Sequence, residues 1–243
     1  MKGTFPLLVG LSLATGCGGR GLPGRPAAGA EMLSPGQVTD FSVLYATNCA
    51  GCHGQDGRGG VSVQLGDALY LAFATDDVLR RVTADGVTGT AMPAFASDAG
   101  GMLTDVQVEA LVRGMRTRWA RPDVLRGTDA PPYAATEDGD VGRGAHVFGV
   151  FCASCHGADG RGGAHGSSVV DGTYLALVSN QHLRTTVLVG RPDWGAPDFR
   201  ADVTGRALSS QDVSDVVAWL SSKRLAFPGQ PYPSARAATG ETQ

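Results

Sequence analysis

Two five-residue segments constrain this chain more than anything else in it: Cys49-Ala50-Gly51-Cys52-His53 and Cys152-Ala153-Ser154-Cys155-His156. They lie 103 residues apart, and each runs into the same kind of loop. Gly54-Gln55-Asp56-Gly57-Arg58-Gly59-Gly60 follows the first, and Gly157-Ala158-Asp159-Gly160-Arg161-Gly162-Gly163 follows the second. The likeness continues downstream. Leu69-Tyr70-Leu71-Ala72 pairs with Thr173-Tyr174-Leu175-Ala176, Leu79-Arg80 with Leu183-Arg184, and Gly86 with Gly190. Pro93 and Phe95 pair with Pro197 and Phe199, Leu103-Thr104 with Leu208-Ser209, and Leu111-Val112 with Val216-Val217, by which point the offset has grown to 105. A period this long exceeds any solenoid unit and predicts two tandem domains.

Helical periodicity recurs in both copies, and no segment shows strand alternation of useful length, so the fold class is all-α. Ser34-Pro35-Gly36-Gln37 reads as a capping box with proline at the first helical position. It would open a helix with Val38, Phe41, Leu44 and Tyr45 on one face. Asp140 is expected to cap the counterpart, which carries Val147, Phe148 and Phe151. Middle helices are expected from about Thr75, with Val78, Leu79 and Val82, and over about 179–189. The last helix of each copy starts at Thr104-Asp105-Val106-Gln107, a second capping box, and at Ser209. The expected domains are 34–120 and 139–226, joined by a linker over 121–138 with Pro122, Pro131 and Pro132, and followed by a flexible Pro- and Ala-rich tail, 227–243.

On a helical turn, cysteines at i and i+3 project from one side, where they can add across two vinyl groups of a single porphyrin edge. A histidine directly after the second cysteine then faces the iron. This is the c-type haem attachment pattern, present twice. Zinc half-sites and disulfides are the rival readings, and neither requires a histidine at that position. Two covalently attached haem c groups are therefore expected, with His53 and His156 as proximal iron ligands. Haem also answers an imbalance in composition. Thirty-six of 243 residues are glycine and only 7% are aromatic, which is odd for domains held by side-chain packing alone. Glycines after each attachment segment would let backbone approach the macrocycle, and Arg58 and Arg161 are candidates to neutralise propionates.

The sixth ligand separates the halves. Met92, in Ala91-Met92-Pro93-Ala94-Phe95, lies 39 residues after His53 and offers a thioether that would complete His/Met coordination. The aligned residue in the second copy is Ala196, and no methionine follows Met115. An open or water-bound iron, a ligand from a partner chain, or His165 or His182 are the alternatives there.

Residues 1–17 carry Lys2, an apolar run and Thr15-Gly16-Cys17. They read as a signal peptide with a possible lipobox, too short to span a membrane. Cys17 would be lipidated, tethering a membrane-anchored lipoprotein on the periplasmic side through a flexible segment over 18–33; plain cleavage is the alternative. Lys and Arg total 20 against 23 Asp and Glu, a net charge of −3 that argues against nucleic-acid binding.

Both Cys-x-x-Cys-His-Gly segments, the Met92-Pro93 pair and the terminal Val216-Val217-Ala218-Trp219-Leu220 helix resemble the class I cytochrome c superfamily, duplicated into a dihaem form. The likeness covers about 35–226. It implies two helical cytochrome c domains that relay single electrons between redox partner proteins without catalysis of their own. Membrane-tethered dihaem members look like subunits or partners of quinol-oxidising complexes and terminal oxidases. A peroxidase-like or gas-binding protein using an open second iron is the alternative. A relay subunit whose proline-rich tail docks on a larger complex is a third reading.

Overall fold

The computed structural model describes residues 33–201 and 205–225. The signal segment with Cys17, the tether before residue 33 and the tail over 227–243 lie outside them. The first repeat folds as α1 (Phe41–Asn48), α2 (Ala50–His53), α3 (Ala68–Phe73), α4 (Asp76–Asp85) and α5 (Asp105–Trp119). The second follows the same order with α6 (Val141–Phe151), α7 (Ala153–His156), α8 (Gly172–Ala176), α9 (Asn180–Val189) and α10 (Ser210–Ser221). Among the described residues there is no strand, only isolated bridges at Ala96/Leu103 and Arg191/Ala196. No described helix is long and apolar enough to cross a membrane.

Side-chain caps set most of these boundaries. Thr75 and Ser179 accept from the N–H groups of Val78 and His182, while Thr104/Gln107 and Ser209/Asp212 form reciprocal capping boxes. Asp140 caps α6 by accepting from the Arg143 N–H at 2.7 Å. The first helix departs from expectation. Residues Pro35–Gln37 make only a 3-10 turn, and α1 starts at Phe41, capped by Asp40 through the Val43 N–H at 2.9 Å. Gln107 explains the delay, because its Nε2 donates to the carbonyls of Pro35 and Val38, both at 2.9 Å. Those carbonyls are acceptors that a helix through this stretch would need for itself. Two short helices, α3 and α8, were hidden from periodicity by their length; Asp67 and Asp171 cap them.

The first and last helices of each repeat cross in close contact. Gly114 of α5 lies under the Phe41 ring of α1, and Gly144 of α6 lies under the backbone of α10 at Asp215, beside Trp219. Trp219 stacks on Phe148 with centroids 4.3 Å apart, while Trp119 meets Phe41 and Tyr45 edge-on.

The repeats pack into a single unit. Helix α3 of the first lies against α9 of the second, and Leu69, Tyr70, Leu71 and Phe73 share one continuous core with Leu175, Leu183, Leu188 and Phe199. Phe73 and Phe199 meet edge-on at 5.8 Å. The 121–138 segment is tied down by Arg184, which is 2% exposed and donates to the Pro132 and Tyr133 carbonyls.

Candidate functional site

Each attachment segment forms a single helical turn at the end of the first helix of its repeat. The N–H of His53 donates to the Cys49 carbonyl at 3.0 Å, and that of His156 to the Cys152 carbonyl at 3.0 Å. None of the four cysteines is paired in a disulfide. Before attachment, burial, reinforced by the neighbouring thiol, pushes Cys49 up to about 12 and Cys152 to about 11.

The two histidines are oriented alike. His53, only 7% exposed, has Nδ1 2.7 Å from the Val63 carbonyl; His156 Nδ1 lies 2.8 Å from the Ser167 carbonyl. An Nδ1–H committed to a carbonyl fixes the tautomer and leaves Nε2 as the lone-pair donor. Burial also holds the pKa of His53 below the usual imidazole value, against the opposing pull of the Val63 carbonyl. Among the described residues no three His, Cys, Asp or Glu side chains converge as a tetrahedral zinc site would need. Two free thiols on one turn, beside an imidazole presenting Nε2, are the donor set that a covalently attached haem requires, and it occurs twice. The residues fit the group.

The loop that follows is folded onto this turn by its glycines. Gly54 has φ +82°, and a Cβ there would lie 1.7 Å from the Arg58 carbonyl oxygen. At Gly54 the close approach is to the chain's own backbone. Tyr45, a residue the sequence reading placed only in the core, braces the turn by donating to the Gly54 carbonyl at 2.9 Å. Its counterpart Phe148 cannot, a difference visible once the repeats are aligned. Arg58 donates twice to the Gly66 carbonyl, at 3.1 and 2.8 Å, and so braces its loop. Arg161 has a side chain 81% exposed, 3.3 Å from Asp159, and sits on a solvated turn.

The ligand loop has one shape in both copies. Gly86 (φ +67°) and Gly190 (φ +66°) end the middle helices, and a Cβ on either would strike the following loop. The obstructing atoms are the Pro93 carbonyl carbon at 2.5 Å in the first and the Pro197 carbonyl oxygen at 2.4 Å in the second. In the first copy, Val87 N–H donates to the Met92 carbonyl at 3.0 Å, and Thr90 Oγ1 accepts from Met92 N–H at 3.2 Å. Met92 is half-buried in this turn. In the second copy the same backbone carries Ala196, with no donor atom. His165 is exposed. His182 Nε2 is 3.2 Å from the Tyr174 hydroxyl, and burial, then the charges of His53 and Arg191, lower its pKa to about 4.

A family model described as cytochrome C oxidase, cbb3-type, subunit III matches residues 36–113, and one described as cytochrome c matches 141–223. The chain is a tandem, dihaem cytochrome c. The "Cytochrome bc1 complex cytochrome c subunit" of Mycobacterium tuberculosis is 27% identical over 235 residues, covering 90% of this chain and 75% of the relative. The corresponding subunit of Mycobacterium leprae is 26% identical over 229 residues, covering 88% and 71%. The "Cbb3-type cytochrome c oxidase subunit CcoP" of Rhodobacter capsulatus is 32% identical over 165 residues, covering 62% and 54%. This cytochrome c is an electron carrier with two covalently attached haems, and the peroxidase-like or gas-binding alternative is not favoured.

Proposed function

We propose that this tandem cytochrome c relays single electrons within or beside a membrane respiratory complex that oxidises quinol or reduces oxygen. The observation that carries the reading is the extent of the likeness to the bc1 cytochrome c subunits, which runs through both repeats and the segment between them. Bound haem would supply the reversible one-electron chemistry. Cys49 and Cys52, and Cys152 and Cys155, would hold the two groups covalently. His53 and His156 would be the proximal ligands, kept in register by Val63 and Ser167. Met92 would be the sixth ligand of the first iron, and a thioether there favours a high potential. At the second iron the same loop offers only Ala196. Cys17 would be lipidated, holding the protein at the membrane, and the domains would run over 34–120 and 139–226.

Absorption and EPR spectra of the oxidised holoprotein test the ligand assignment. Met92→Ala should convert one haem to high spin or lower its potential, and the other should keep its wild-type signal. If Met92→Ala leaves both haems as they were, Met92 is not a ligand. Cys17→Ser should release the protein from membranes if the anchor is a lipid.

A further inference from the structure

Two hydrogen bonds tie the second repeat to the first, one next to Met92 and one in the loop that orients His53. Ala91, next to Met92, donates its N–H to the Leu177 carbonyl at 3.1 Å. Arg191 Nη2 donates to the Gly60 carbonyl at 2.9 Å, in the loop whose Val63 orients His53. Helix α9 runs between these anchors and carries His182 in its first turn. The His182 ring meets Tyr174 edge-on, with centroids 6.4 Å apart. The Arg191 guanidinium lies 3.7 Å from the centroid of the Trp194 ring and is paired with Asp193 at 3.0 Å. The shared core behind α3 and α9 fixes this seam, so these are contacts within one packed body.

We propose that the first haem site is a composite of both repeats, in which the Tyr174–His182 pair and Arg191 of the second cover part of it, limit the access of water and set its potential. The inference rests on the reading of His53 and Met92 as the ligands. The Tyr174 hydroxyl lies 3.2 Å from His182 Nε2, and Arg191 stands just beyond the end of α9. Shielding an iron site from water disfavours its more highly charged, oxidised state and so raises its potential. The cover is one-sided. At the positions aligned with His182 and Arg191 the first repeat has Val78 and Val87, which can supply neither contact to the second site.

The test uses the full-length holoprotein and follows the sulfur-to-ferric-iron absorption band, which reports the methionine-ligated haem alone. His182→Val, which installs the residue of the first repeat, and Arg191→Leu should each lower the potential of that haem. Both should also make its reduction by ascorbate several-fold faster, with the other haem unmoved. His182→Gln, able to keep a partner for Tyr174, should stay closer to wild type; if Arg191→Leu fails to assemble, the two His182 variants decide. Loss of the band in Met92→Ala, with no change in His182→Val or Arg191→Leu, overturns the composite site and leaves the ligands standing. A band that survives Met92→Ala overturns the ligand reading, and this inference with it.

Discussion

Where α1 crosses α5 in the first repeat, an aromatic ring from the first helix, Phe41, sits on a glycine of the last, Gly114. Where α6 crosses α10 in the second, the positions aligned with these are Gly144 and Trp219, so the bulky residue has moved to the last helix and the glycine to the first. Close helix crossing needs one small and one large partner, and it does not matter which helix supplies which. The exchange is not symmetrical in its consequences. A methyl group on Gly114 would lie 2.1 Å from the Phe41 ring and 2.8 Å from its Cβ, all of them side-chain atoms. On Gly144 it would lie 2.0 Å from the Asp215 carbonyl oxygen, which belongs to helix backbone. Gly144→Ala should therefore be the more damaging of the two, destabilising by about 3 kcal/mol or more, as overpacked backbone contacts do. Gly114→Ala should cost about half as much. Equal midpoints for the two variants in denaturant titrations would show that the crossings are equivalent after all.

A second pair sharpens the contrast. Arg80 and Arg184 occupy one position of the repeat. Arg80 makes exposed ion pairs with Asp77 and Glu109, at 2.8 and 2.9 Å. Arg184 is buried and, among the described residues, has no carboxylate as a hydrogen-bond partner; it donates to the carbonyls of Pro132 and Tyr133 and to the hydroxyls of Ser210 and Ser214. Removing it strands buried acceptors, so Arg184→Ala should cost about 2–3 kcal/mol. It should also expose the 121–138 segment to limited proteolysis. Arg80→Ala should do neither, because exposed ion pairs contribute little. A segment that stays protected in Arg184→Ala would mean that the core, not the guanidinium, holds it.

These pairs mark what could be read from sequence and what could not. The duplication, the attachment turns, the caps at Thr75, Thr104, Asp140, Ser179 and Ser209 and the contrast of Met92 with Ala196 all rest on local patterns, and local patterns are written in consecutive residues. The late start of α1 was not legible, because Gln107, 69 residues downstream of Val38, takes the carbonyls that the capping box at Ser34 seemed to promise to a helix. The contact of His182 with Tyr174 was not legible either, because sequence order says nothing about which neighbour a helix face meets. A proline-rich stretch reads as a linker for the same reason: the arginine that pins it lies about 50 residues further on.

The smallest expected difference concerns acid. Both last helices begin with a capping box, but the reciprocal residue is neutral Gln107 in the first repeat and Asp212 in the second. Burial works to raise the pKa of Asp212, yet the Arg206 guanidinium, at 2.5 Å, and Ser209 outweigh it and hold the carboxyl at about 2. A carboxylate whose pKa is lowered by folding stabilises the fold above its unfolded value, near 4, and that contribution is lost as pH falls from there towards 2. The start of α10 should therefore loosen over this range while the start of α5 does not, by about 1 kcal/mol, the size of one side-chain cap. Asp215, held low chiefly by Arg143, titrates on the same helix, so the decisive measurement is a comparison. Amide protection factors over 209–213, with the intrinsic pH dependence divided out, should fall with acid in the wild type and fall less steeply in Asp212→Asn, whose cap no longer titrates. An identical acid profile in the two proteins would assign the whole effect to the Asp215–Arg143 pair.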